Sequence, residues 1–138
     1  MKRFIYASIM SIAMLFLSGC GGSGDGVITS LNINYLEDGY DVAYKNNGEE
    51  EEKIANFCQN KLRFYREDGT LVVERFYWIT GSYLDISELD DGTLDWYWDI
   101  TAPHDEIMEV GVSYDEYNRD NDFILDREIL SIEKVPCP

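Results

Sequence analysis

Three turn dipeptides set the frame of this chain: Asp38-Gly39, Asn47-Gly48 and Asp68-Gly69. A glycine after Asn or Asp accepts the positive φ that tight hairpin turns demand, and each pair stands beside residues that alternate apolar and polar. Leu31, Ile33 and Tyr35 alternate with Asn32 and Asn34, and Tyr40, Val42 and Tyr44 alternate with Asp41, Ala43 and Lys45. Leu62 and Phe64 sit among Lys61, Arg63 and Tyr65. Trp96, Trp98 and Ile100 alternate with Asp95, Tyr97 and Asp99, and Met108, Val110, Val112 and Tyr114 with Glu109, Gly111 and Ser113. Period two sends successive side chains to opposite faces, so each stretch predicts a half-buried strand. Leu71 to Ile79, rich in β-branched and aromatic residues, and Ile129 to Val135 add two more. Seven or more short strands at this spacing predict an all-β domain, either an antiparallel β-sandwich or a small barrel. The charge run Glu49-Glu50-Glu51-Glu52-Lys53 predicts a solvated loop, or one helical turn leading into Ile54–Cys58.

The N-terminus has a different grammar. Lys2 and Arg3 precede the uncharged, mostly apolar stretch Phe4 to Leu17. At about 1.5 Å per residue it spans roughly 20 Å as a helix, short of a hydrocarbon core of about 30 Å. It therefore predicts an export signal rather than a membrane span. Leu17-Ser18-Gly19-Cys20 closes the stretch and resembles the lipobox of bacterial lipoproteins. That resemblance implies cleavage before Cys20 and acyl chains on its sulfur and amine, several chains making attachment durable. Gly21 stands where an aspartate would be the familiar inner-membrane retention signal, which implies the outer membrane, facing the periplasm. The organisation expected is a signal peptide over 1–19, a lipidated cysteine with a Gly-rich tether over 20–26, and one β domain over 27–138. A tether of six such residues reaches only about 13 Å, so the domain is expected near the membrane surface.

Charge narrows the partners. The whole chain carries a formal −16 at pH 7. Lys2 and Arg3 leave with the leader, so 27 acidic residues face nine basic ones in the mature chain, a formal −18. Such a surface repels nucleic acid and anionic lipid headgroups and attracts basic macromolecules. Acidic chains poor in aromatics stay unfolded, but all three tryptophans here follow the leader and supply area for a core. Of the three cysteines, Cys20 is taken by the lipid. Cys58 and Cys137 remain, and an even pair in an oxidising compartment predicts a disulfide. Zinc is disfavoured, because Cys-x-x-Cys spacing is absent and His104 is the sole histidine.

A second resemblance is local. Leu89-Asp90-Asp91-Gly92-Thr93-Leu94-Asp95-Trp96 looks like the Asp-x-Gly-x-Tyr-x-Cys corner of immunoglobulin domains, and Val110–Asp115 is similar to a late strand of bacterial immunoglobulin-like modules. It implies an immunoglobulin-like sandwich. Leu94 stands in place of the tyrosine and Trp96 in place of the cysteine, so neither the corner hydroxyl bond nor the central disulfide is implied.

Candidate chemistry is sparse. Asn118, Asp120, Asp122 and Asp126, with Glu128 beyond, place oxygen ligands at loop spacing suited to calcium. They do not form an EF-hand, since Phe123 occupies the glycine position and Ile129 the bidentate glutamate position. His104-Asp105 imitates a catalytic pair without a nucleophile elbow beside it. Carboxylates spaced for glycoside hydrolysis would have to come from distant strands. Tyr77, Trp78, Tyr83, Trp96, Tyr97 and Trp98 could stack on sugar faces, but alternation sends Trp96 and Trp98 inward and leaves Tyr97 as the carbohydrate candidate. The function expected is a non-catalytic binding or structural module of the cell envelope that needs no cofactor. Its partners would be the membrane, through the lipid, and a basic envelope protein. The alternatives are an inhibitor of a basic envelope-attacking enzyme in the manner of lysozyme inhibitors, a calcium- or carbohydrate-binding module, and a carboxylate-based hydrolase.

Overall fold

The computed structural model describes residues 27–137, so the leader, Cys20 and the Gly-rich tether lie outside the described residues. Eleven strands and one 3-10 helix follow in order: β1 Val27–Ile28, β2 Ser30–Asn32, the helix Ile33–Asp38, β3 Tyr40–Asn46, β4 Lys53–Cys58, β5 Lys61–Tyr65, β6 Leu71–Thr80, β7 Tyr83–Ser87, β8 Trp96–Asp99, β9 Ile107–Glu109, β10 Ser113–Asn118 and β11 Phe123–Lys134. The class is all-β. Strands β3, β4, β5, β6, β7, β8, β10 and β11 pair antiparallel in that order, and β11 pairs back onto β3 to close an eight-stranded barrel. Closure leaves the ring without an edge at which another chain could add a strand. β11 has the length to do this because its first half pairs with β10 and its second half with β1, while β3 runs along its other side.

The interior is filled rather than hollow at its centre. Trp98 is fully buried and meets Tyr44 and Phe57 edge-to-face, with ring centroids 6.2 and 6.1 Å apart. Phe57 in turn meets Tyr77 at 5.1 Å. Leu62, Leu84, Ile86, Ile129 and Ile132 pack around them, all buried. Each such aliphatic contributes about 1.5–3 kcal/mol through burial, and edge-to-face ring pairs add about 0.5–1.5.

One end of the barrel is plugged. Ile33 and Leu36 of the 3-10 helix are fully buried there, beside Leu31 of β2 and Met108 of β9, which form their own two-stranded sheet. The Tyr114 hydroxyl accepts from the Glu109 amide at 2.9 Å and donates to the Ile107 carbonyl, tying that sheet to β10. The disulfide between Cys58 and Cys137 closes the same end, joining the end of β4 to the C-terminal tail. In the chain-entropy picture a loop with a sequence separation of 79 residues gives about 4 kcal/mol. Gly39 sits beside it with φ +108°, and a Cβ there would lie 2.4 Å from the Val135 carbonyl oxygen. The ring, its core and its disulfide all lie within residues 27–137, so that segment holds what it needs to fold on its own.

Three local expectations are corrected, and one alternative is decided. Leu31 to Tyr35 is not one strand: β2 stops at Asn32, whose side-chain oxygen accepts from the Asn34 amide and starts the 3-10 helix. Asp38-Gly39 is not a hairpin turn, since Gly39 ends that helix and leads into β3. Of the two readings of the charge run the loop holds: residues 49–52 form a largely exposed loop with no helical turn, and Lys53 already belongs to β4. Met108 to Tyr114 splits into β9 and β10 at Gly111, whose φ of +88° turns the chain.

Candidate functional site

The outer wall formed by β7, β8 and β10 holds the densest chemistry on the surface. Within these strands Leu84, Ile86, Trp98, Tyr114 and Glu116 are buried toward the interior. Alternation therefore places Tyr83, Asp85, Tyr97, Asp99, Asp115 and Tyr117 on the outside. Register then sets them in two rows that run across the strands. Tyr97 lies opposite Asp85 on one side and Tyr117 on the other, while Asp99 lies opposite Tyr83 and Asp115. β11 extends both rows, with Phe123 opposite Tyr117 and Asp126 opposite Asp115. No lysine or arginine occurs in β7, β8 or β10.

The rings of the first row, with Tyr83 diagonal to it, touch in series. Tyr83 meets Tyr97 edge-on at 5.3 Å, Tyr97 stacks on Tyr117 at 5.3 Å, and Tyr117 meets Phe123 edge-on at 6.1 Å. The Tyr97 hydroxyl donates to Asn121 Oδ1 at 2.6 Å, fixing its ring. A recess of about 300 Å³ opens beside it, lined by Thr80, Tyr83, Asp85, Leu94, Tyr97 and Asn121. At its base the Thr80 hydroxyl donates to Asp85 Oδ2 at 2.8 Å. Desolvation holds the Asp85 carboxyl above its ordinary value, opposed by that hydrogen bond. The Tyr97 and Tyr117 phenols are also raised, first by desolvation and then by neighbouring groups, Tyr83 followed by Asp99 and Asp85 for Tyr97 and chiefly Asp115 for Tyr117. The wall is a negative field with aromatic faces set in it.

In the second row Asp99, Asp115 and Asp126 stand directly opposite one another across three strands. Their remaining bonds are local: Asp99 accepts from the Thr101 amide at 2.9 Å and Asp115 from the Tyr117 hydroxyl at 3.3 Å. None of the three forms an ion pair among the described residues. Directly opposed like charges destabilise a sheet, so this row is a cost carried on the surface.

The positions singled out from sequence are dispersed. Asn118 ends β10, and its Oδ1 accepts from the Asp120 and Asp122 amides at 2.9 and 3.0 Å, shaping the turn to β11. Asp126 lies up β11 in the acidic row, away from that turn. Among the described residues no three His, Cys, Asp or Glu side chains are grouped to hold a metal ion. Tyr97 does face outward, with one face of its ring covered by Tyr117. His104 and Asp105 occupy the exposed connection between β8 and β9. The corner-like segment 89–96 runs through the connection between β7 and β8 to Trp96, the first residue of β8, and in it Asp95 Oδ2 accepts from the Glu88 amide and the Ser87 hydroxyl.

Sequence reasoning missed the barrel's interior polar group. Arg127 points inward from β11 and its Nη2 donates to Glu116 Oε1 at 2.6 Å, with both side chains only about a tenth exposed (11% and 8%). Its Nη1 donates to Asn46 Oδ1 at 2.9 Å. The guanidinium also lies over Tyr44, Trp98 and Phe64, at 4.9, 5.2 and 5.7 Å from the ring centroids. The signal was present: Leu125, Arg127 and Ile129 alternate with Asp126 and Glu128, which puts an arginine in an apolar register. The chain matches no protein-family model, no curated protein and no solved structure.

Proposed function

We propose that this chain is a lipid-anchored, non-catalytic binding module of the bacterial cell envelope. Cys20 carries the lipid, residues 21–26 tether the domain close to the outer membrane, and the partner is a basic protein. Of the two architectures the sequence allows, we infer the small barrel rather than the immunoglobulin-like sandwich, because the strand ladder closes through β11 and β3.

One observation carries the partner reading: the outer wall of β7, β8 and β10 alternates tyrosine with aspartate along each strand, sets an aromatic row beside an acidic row across β8 and β10, and contains no cation. Elsewhere the surface does carry cations, several of them paired. Lys53, Arg63, Arg66 and Arg75 each hold an acidic partner, Glu49, Glu74, Glu51 and Glu88. A lysine or arginine of the partner entering the recess by Tyr97 would meet the Asp85 carboxylate and the faces of Tyr83 and Tyr97, combining charge with cation–π attraction. Approach would be steered by the mature chain's negative field and weaken as salt rises.

The test uses a basic lysozyme as the probe, at about 0.15 M salt, where screening acts over roughly 8 Å. Asp99→Asn with Asp115→Asn and Tyr97→Ala should weaken binding by at least about tenfold. Glu50→Gln with Glu52→Gln, removing equal charge elsewhere, should leave it nearly unchanged. Equal losses from both sets would reduce the wall to a share of net charge and overturn the reading. The anchor is tested separately: a labelled fatty acid should mark the wild type and leave Cys20→Ala unmarked.

A further inference from the structure

The unplugged end of the barrel has a different chemistry from the outer wall. An opening of about 330 Å³ lies there, and every one of the eight barrel strands contributes to its lining. Barrel mouths are a recurrent place for small ligands, and this volume falls at the lower edge of the usual range of about 300–1,000 Å³. Its rim is apolar and unpartnered: Val72 is 58% exposed and Ile124 45% exposed. Phe64 and Trp96 line it further in.

The charge at this mouth opposes that of the chain. Lys53, Arg75 and Arg127 line it with Glu116 as the one carboxylate, in a protein of formal charge −16. Lys53 and Arg75 reach outward to Glu49 and Glu88, which are themselves half-exposed or more. Arg127 is committed inside, with Nη1 on Asn46 and Nη2 on Glu116. Its Nε–H is buried and has no hydrogen-bond partner. A buried donor left unmet is costly, and an acceptor supplied by a ligand would relieve that cost.

We propose that the mouth binds one medium-chain aliphatic carboxylate, its tail against the apolar rim and its headgroup accepting from Arg127. At about 30 Å³ per water-sized group the opening takes roughly ten such groups, the size of an eight-carbon acid. The alternatives fit less well. A cation would be drawn to the outer wall instead, and a purely apolar molecule would leave the Nε–H unmet. This site is separate from the docking wall, so neither reading depends on the other.

The experiment titrates octanoate and octylammonium, in parallel, into the mature chain from Gly21 to Pro138, exported behind a leader that is not lipidated. The readouts are heat and intrinsic tryptophan fluorescence, to which Trp96 at the mouth contributes. Adsorption driven by net charge would favour octylammonium, whereas the mouth selects octanoate. Octanoate should saturate one site, with octylammonium at least about tenfold weaker. Val72→Glu with Ile124→Glu, both on the exposed rim, should weaken octanoate by a similar factor without loss of fold. Arg127→Lys keeps a cation for Glu116 but removes the free Nε donor, and should also weaken octanoate. Octylammonium binding as tightly as octanoate, a rim variant that binds normally, or no saturation by about 1 mM would each overturn the proposal.

Discussion

Two sets of charges, one inside the barrel and one on its wall, follow opposite rules. Inside, Glu116 and Arg127 are paired at 2.6 Å, with Asn46 and three aromatic rings completing the surroundings of the guanidinium. Outside, Asp99, Asp115 and Asp126 face one another with no cation between them. Water explains how both persist. An ion removed from water costs several kcal/mol unless a partner and hydrogen bonds replace the solvent, so the interior tolerates an ion only with its counter-ion, here with one Arg127 donor, Nε–H, still unmet. At the surface the dielectric and mobile ions reduce like-charge repulsion to tenths of a kcal/mol, so a row of acids survives if something else retains it. Inside, each charge thus requires the other, while the row is an expense that folding does not require.

The largest effect should come from breaking the pair. Arg127→Met leaves Glu116 buried without a counter-ion, and loss of one partner costs about 3–5 kcal/mol. Equilibrium denaturation of the mature chain should show that loss. Adding Glu116→Leu to Arg127→Met should recover most of it, because an apolar pair of similar volume removes the stranded charge. A single variant as stable as the wild type would mean that water already reaches Glu116, and the contrast between inside and outside would fail.

The same contrast explains what could be read in the sequence. Alternation marked the walls correctly wherever a strand was regular, as at Trp96 to Asp99 and Tyr40 to Tyr44. It failed where a local bond or a bulge broke the period. The Asn32 side chain ended β2 early, and the register shift between Ile129 and Ser131 puts Ile129 and Ile132, three apart, both in the core. The Cys58–Cys137 pairing followed from counting, because only two cysteines remained once the lipobox claimed Cys20. Neither the wall nor the interior pair could be counted in that way. Asp85, Tyr97 and Tyr117 are far apart in sequence and meet only through β7–β8 and β8–β10 register. Arg127 and Glu116 sit at inward positions where a pattern reader expects apolar residues.

The acidic row should respond in the opposite direction to the pair. Asp115 stands between two carboxylates, so Asp115→Asn removes both repulsions while its side-chain oxygen still accepts from Tyr117. A stabilisation of about 0.2–1 kcal/mol is expected at low ionic strength. It should shrink toward zero at about 1 M salt, where the screening length falls to roughly 3 Å. Thermal denaturation at two salt concentrations separates the cases. Destabilisation by Asp115→Asn at both would show that the row contributes to folding after all. The variant should be more stable and bind the basic probe less well, as expected of a surface kept for its partner.

The smallest effect lies between the two regimes, at Asp85, which faces the wall yet is only 8% exposed. Desolvation raises its carboxyl above the ordinary 3.8, with the Thr80 and Trp78 hydrogen bonds opposing. A raised pKa reverses the usual sign for an aspartate. Between about 3.8 and the raised value the native state holds the proton more often than the unfolded state does, so stability falls as pH rises through that window. Above the window the full cost of a half-desolvated charge remains. Asp85→Asn keeps an oxygen for the Thr80 hydroxyl and cannot ionise, so it should be more stable than the wild type at pH 7. Its advantage should decline as pH falls through the window and vanish below it. Paired melting curves from pH 7 down to about 3 give that difference directly, with the other carboxylates common to both chains. A constant gap across that range would assign the effect to packing. A gap that widens toward acid would mean that the Asp85 carboxylate is stabilised in the native state, and that the recess beside Tyr97 already meets its charge without a partner.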